Sequence, residues 1–159
     1  MARVLAIDLA ARHSAMVLLA EEVVTHAIAY DAGPSPTLWD YNDLARQMAK
    51  DARDAIRSTR EPCDVLIEDV PPRVINLKPV MILQTCLRLA LHDARILEVN
   101  LILPSTWQRA LGYRRVKGTT TKGWAKEESI RRGLETKVGG KAQVDIRDAF
   151  LMACWALEA

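Results

Sequence analysis

The chain has 159 residues, is 50% hydrophobic and 26% charged, and carries a formal net charge of only +2. These figures describe one globular domain, and a chain of this size buries roughly two-thirds of its unfolded surface without a metal or disulfide staple. A disordered tail, a fibrous repeat and a staple-dependent mini-protein are excluded. The charge is unevenly spread. Residues 1–104 hold 11 Lys/Arg against 14 Asp/Glu, residues 105–141 hold 10 against 3, and residues 142–159 hold 1 against 3. The basic block marks either a polyanionic partner or a set of solvated helices. Cys63, Cys86 and Cys154 make no CxxC pair and no zinc spacing, so they read as reduced thiols of a cytoplasmic protein. Asp8 and Arg12 interrupt the apolar start too soon for a signal-peptide core or a membrane span.

In chain order, Val4–Leu9, Ser14–Ala20 and Val23–Tyr30 predict three strands, with Glu21-Glu22 at a hairpin tip. Gly33-Pro34-Ser35-Pro36 breaks the chain. Leu38, Tyr41, Leu44, Ala45, Met48, Ala52, Ala55 and Ile56 then recur at helical spacing, for an amphipathic helix of about five turns. Val65–Glu68 reads as a short buried strand, Pro79–Ala94 as a helix and Ile96–Leu103 as a further strand. Pro104 opens a short helix carrying Trp107. Six of the seven glycines lie beyond residue 111 and divide the basic segment into a loop, a helix near Lys122–Leu134 and a second loop. Val144–Leu157 is a helix, apolar over most of its circumference. The order βββ-α-β-α-β-α-α-α, with no repeat or linker, predicts a single α/β domain over residues 1–159, built on one mixed five-stranded sheet.

Four carboxylates stand where solvation alone would not put them. Asp8 and Glu68 end apolar strands, and strand ends of an α/β sheet line the ligand crevice. Either acid taken alone is equally explained by capping a helix or pairing with an arginine. Asp145 and Asp148 lie i, i+3 on one face of the last helix, where they repel each other unless a cation intervenes. Asp145 also suits a helix N-terminus. Because the rest of that helix is so apolar, both acids are expected to point inward. Four acids on three elements suit hard divalent cations, which take oxygen ligands and keep several waters.

The segments Ala6-Ile7-Asp8-Leu9-Ala10, Leu66-Ile67-Glu68-Asp69-Val70 and Asp145-Ile146-Arg147-Asp148-Ala149-Phe150-Leu151-Met152-Ala153, in that order and spacing, resemble the RuvC family of Holliday junction resolvases. The resemblance covers nearly the whole chain. It implies a ribonuclease H-like fold and a structure-selective endodeoxyribonuclease that binds two Mg2+ ions (Mn2+ substituting) and nicks four-way junctions to leave 5′-phosphate and 3′-hydroxyl ends. It places Asp8, Glu68, Asp145 and Asp148 on the two ions, leaving open which acid serves which, and a catalytic-site lysine at Lys126. Two departures stand out. The family's Gly-Ile-Asp-Pro-Gly has lost its glycines and proline here, and Val70-Pro71-Pro72-Arg73 replaces an aromatic wedge. Such drift resembles small phage-borne members, acting in the bacterial host cytoplasm, more than the bacterial repair enzyme. A non-catalytic junction binder of this fold, and a nuclease acting on forks or RNA–DNA hybrids, are the alternative readings.

The DNA backbone is expected to lie along Arg73, Arg109, Arg114, Arg115, Lys117, Lys122, Lys126, Lys137 and Lys141, whose cations release counterions on contact with phosphate. Trp107, Tyr113 and Trp124 either stack on unpaired bases or pack in the interior, the commoner fate of tryptophan. His13 reads as an exposed loop residue, and Asp69 is expected on the opposite side of the pleat from Glu68. The helix from Pro79 to Ala94 is apolar over more than one stripe, so it is either fully internal or a homodimer surface whose two-fold axis would suit a four-way junction.

Overall fold

Alternating side chains on the first strand divide the protein into two layers. Leu5, Ile7 and Leu9 face one core and Val4 and Ala6 the other, as the two-residue period of a strand requires. A computed structural model describes residues 2–70, 77–134 and 142–159. Its five-stranded sheet has the order β3-β2-β1-β4-β5. The strands β1 (Arg3–Asp8), β2 (His13–Ala20) and β3 (Val23–Asp31) form an antiparallel meander, and β4 (Asp64–Glu68) and β5 (Asn100–Ile102) add parallel to its β1 edge.

Helices α1 (Leu38–Arg57) and α2 (Leu77–Asp93) cover one face. Their inward residues, among them Tyr41, Met48, Leu83, Leu87 and Leu91, join the β1 side chains Leu5 and Ile7. A capping box starts α1: Thr37 Oγ1 accepts from Asp40 N–H at 3.2 Å, and Asp40 Oδ2 accepts from Thr37 N–H at 2.8 Å. At the other end of α1 the buried Arg3 guanidinium donates to the carbonyls of Ala55, Ile56 and Glu61 at 2.8–3.1 Å, satisfying groups that a helix terminus leaves open. The other face carries α3 (Pro104–Ala110), α4 (Thr121–Arg131) and α5 (Ala142–Glu158). Ile146 and Ala149 through Ala153 of α5 are fully enclosed against Val4, Ala6, Val17 and Leu66. This is the expected α/β architecture.

One predicted strand is much shorter than expected. Ile96–Leu103 is extended only over Asn100–Ile102. Arg95 takes φ 67°, and the amides of Arg95 and Ile96 donate to His92 and Leu91 carbonyls, which closes the end of α2. Ile96 and Val99 reach the core from this irregular segment, so their hydrophobicity records burial rather than pairing. The expected turn after β1 also has its explanation. None of residues 9–12 has positive φ; Ser14 Oγ accepts from Ala10 N–H at 3.1 Å, and Tyr41 O–H donates to the Ala11 carbonyl at 2.7 Å. Side chains thus hold a loop that glycine would otherwise form. No helix among the described residues is long and apolar enough to cross a membrane.

Candidate active site

Parallel pairing sets the first two acids side by side. Ile7 of β1 is in register with Ile67 of β4, so the next residues, Asp8 and Glu68, end neighbouring strands on the same face as Ala6 and Leu66. That face is covered by α5, and Asp148 enters from its second turn, one position before the enclosed Ala149. Asp8, Glu68 and Asp148 are each half-buried, and protein displaces most of the water around their carboxyl groups.

Burial and mutual charge govern their ionisation. Loss of hydration is the largest influence on Asp8 and raises its pKa well above the usual carboxylate range. The charges of Glu68 and Asp148 raise it further, and a hydrogen bond ties its carboxyl to that of Glu68. Glu68 is pushed up to about 7, first by desolvation and also by the Asp148 charge, while hydrogen bonds from Trp107 and Asp8 hold it down. Asp148 is raised by desolvation against the opposing charges of Lys122 and Arg147. Three acids on three elements therefore resist ionising together.

Asp145 departs from expectation. It is exposed in the first turn of α5, so of the two helix acids only Asp148 turns inward. The difference follows from position along the helix: α5 is enclosed at every residue from Ala149 to Ala153, Asp148 adjoins that stretch, and Asp145 lies a turn earlier, in the first turn. Asp69 faces away from Glu68 as expected, accepting from Gln84 Nε2 of α2 at 3.2 Å and from the Val70 N–H at 2.8 Å. His13 is half exposed, 4.0 Å from Asp31, and takes no part in the acid cluster.

The basic segment runs from α3 through α4. Arg109, Arg114, Arg115, Lys117, Lys122 and Lys126 are exposed, whereas Arg73, Lys137 and Lys141 lie outside the described residues. Arg131 and Arg132 are engaged by Glu128, and Arg132 also by Glu158. The lysine whose charge reaches Asp148 is Lys122, one helical turn before Lys126 on the same face of α4. The family resemblance places the site lysine at Lys126, which is exposed one turn further along α4.

Trp107 was the larger omission. Its ring is completely enclosed, so it offers no surface for a base, and its Nε1–H donates to Glu68 Oε2 at 2.8 Å. Trp124 packs on it with centroids 6.2 Å apart, and Tyr113 packs on Trp124 at 5.3 Å, so these aromatics face one another. The signal was hidden because it depends on register: Ile102 pairs with Glu68, and α3 starts two residues later.

The donor set suits a hard divalent cation, since every group at its centre is a carboxylate oxygen. Among the described residues no three His, Cys, Asp or Glu side chains are arranged in one coordination shell. Magnesium is commonly held by one or two carboxylates together with waters and substrate phosphates, so sharing of ions among pairs of these acids fits its chemistry. The closeness of acids that raise one another's pKa fits the same conclusion.

No protein-family model and no curated sequence matches the chain. Its fold is nevertheless the mixed α/β fold of RuvC, the ribonuclease H-like type. The structure of Thermus thermophilus RuvC superimposes with a TM-score of 0.70 at 15% identity, over 98% of this chain and 95% of that one. RuvC from T. thermophilus in complex with a Holliday junction substrate gives 0.69 at 15% identity, over 99% and 96%. The yeast mitochondrial Holliday junction resolvase Ydc2 gives 0.55 at 15% identity, over 98% of this chain and 78% of that one.

Proposed function

We propose that this protein is a structure-selective endodeoxyribonuclease that resolves Holliday junctions and related branched DNA by divalent-metal-dependent phosphodiester hydrolysis. The observation that carries the reading is the meeting of Asp8, Glu68 and Asp148 from β1, β4 and α5 beside the cationic start of α4. A RuvC of the same fold is described in complex with a Holliday junction substrate, which supports the choice of DNA structure. A protein that merely bound junctions would gain nothing from clustered acids next to phosphate.

In this reading Asp8, Glu68 and Asp148 hold Mg2+ in pairs, and Asp145 joins them from the exposed side of α5. When bound, two such ions supply an activated water and stabilise the charge on the leaving oxygen. Lys122 balances Asp148 and faces the approaching phosphate. Lys126, Arg109, Arg114, Arg115 and Lys117 hold the backbone without reading bases, assisted by Arg73, Lys137 and Lys141. The apolar surface of α2 joins two copies: Leu83, Leu87 and Leu91 are spent on the core, yet Met81 and Leu89 remain 48% and 65% exposed. The helix is therefore not fully internal, and a two-fold pair would present two sites to opposed strands. Its setting is the cytoplasm.

The test is a panel of four-way junction, fork, RNA–DNA hybrid and linear duplex, with Mg2+ and then with EDTA. The junction should be cut with Mg2+ only and in preference to duplex, and Asp8→Asn should lose at least about 100-fold, more than loss of an outer partner of a metal ligand costs. Light scattering on the same preparation should give twice the chain mass. Cutting that survives both EDTA and Asp8→Asn would reject the assigned centre, and equal cutting of all four substrates would reject junction selectivity.

A further inference from the structure

The end of β5 delivers a tryptophan to the back of the acid cluster. Because Ile102 is in register with Glu68, and α3 begins at Pro104, the first turn of α3 rises directly beside the end of β4. Trp107 projects from that turn into the layer between the sheet and α5. Its indole nitrogen is a donor only, and its partner is Glu68 Oε2 at 2.8 Å. A bond of this kind to a carboxylate is stronger than one between neutral groups. The ring has no room to turn. It is 0% exposed, shares its core with Phe150 and Leu66, and is backed by Trp124, which Tyr113 backs in turn.

We infer that Trp107 is a positioning residue for Glu68: its N–H pins Oε2, so that the carboxylate presents its remaining lone pairs toward Asp8 and a shared divalent ion. This rests on the metal-dependent reading above and adds to it a residue that never touches ion or DNA. Glu68 ends its strand and its carboxylate would otherwise rotate about its last bond. Outer partners that orient metal ligands in this way are worth 10–100-fold in affinity or activity. A purely structural alternative has the reverse logic, in which Glu68 only satisfies a buried N–H. The two differ in whether the effect of Trp107 passes through Glu68.

The experiment titrates MnCl2 by calorimetry into the DNA-free protein, with a thermal melt of each sample. The samples are the wild type, Trp107→Phe, Glu68→Gln and the double variant. A fifth carries benzothienylalanine at position 107, which keeps the indole volume and replaces only the N–H by sulfur. The wild type should bind Mn2+. Trp107→Phe and the sulfur isostere should each weaken that binding about 10-fold or more and raise by the same factor the Mn2+ concentration needed for half-maximal junction cutting. In the Glu68→Gln background Trp107→Phe should cost nothing more. If Trp107→Phe fails to fold, the isostere carries the comparison. Unchanged Mn2+ binding by the isostere, or an equal additional loss in the Glu68→Gln background, would overturn the inference while leaving the nuclease reading intact. A wild type that binds no Mn2+ would overturn both.

Discussion

Glu68 shows how an acid at the end of an apolar strand becomes a reporter of its surroundings. Its pKa, raised to about 7 chiefly by loss of hydration, means that the folded protein holds a proton where the unfolded chain has released it. Between the unfolded carboxylate range and pH 7 the folded state therefore binds more protons, and stability must fall as pH rises. The raised Asp8 acts in the same direction. Allowing for partial screening by solvent, Glu68 alone contributes on the order of 2 kcal/mol to this loss. In EDTA the melting temperature should be several degrees higher at pH 5 than at pH 8. Glu68→Gln should flatten the trend, and Mg2+ at pH 8 should restore the missing degrees. A melting temperature in EDTA that rises from pH 5 to pH 8 would show that these carboxyls ionise freely. Both acids were legible in the sequence as charges inside apolar runs. Their pairing was not, because only the Ile7–Ile67 register makes positions 8 and 68 neighbours.

At the level of elements, α4 divides its work along one face. Lys122 lies in its first turn, where its charge reaches Asp148, and Lys126 follows one turn later in the open. Thr120 fixes the start of the helix by accepting from the Gly123 N–H at 3.0 Å, which sets the height at which Lys122 emerges. Lys122→Ala should therefore reduce junction cutting far more than junction binding. Lys126→Ala should reduce binding and lower the slope of log affinity against log salt by about 1. Equal losses in cutting and binding for both variants would place the two lysines in one backbone-contact role. The helices themselves were readable from their apolar period, as with the stripe from Tyr41 to Ala55. β5 was not, since Ile96 and Val99 are apolar for the sake of α2 and the core rather than for a strand partner. The same limit applies to Asp145, whose exposure follows from where along α5 the enclosed stretch begins and not from its spacing to Asp148.

For the whole molecule, the sheet order decides what the protein can do. Placing β1 at the centre, with β2 on one side and β4 on the other, brings Asp8 beside Glu68, and α5 crossing the same face adds Asp148. The basic α4 packs on α5 in this layer, with Lys122 acting on Asp148, and α2 lies in the opposite layer with Met81 and Leu89 exposed. The mixed sheet flanked by helices and the resemblance to RuvC were visible in the chain before any coordinates. The mutual influence of the two strand-end acids, and the indole that donates to one of them, required the packed structure. The most direct measurement is an anomalous difference map from a crystal soaked in MnCl2 at neutral pH. The account predicts Mn2+ density lying between the carboxyl groups of Asp8, Glu68 and Asp148. An empty map at that place, with the Asp8–Glu68 hydrogen bond retained, would contradict it.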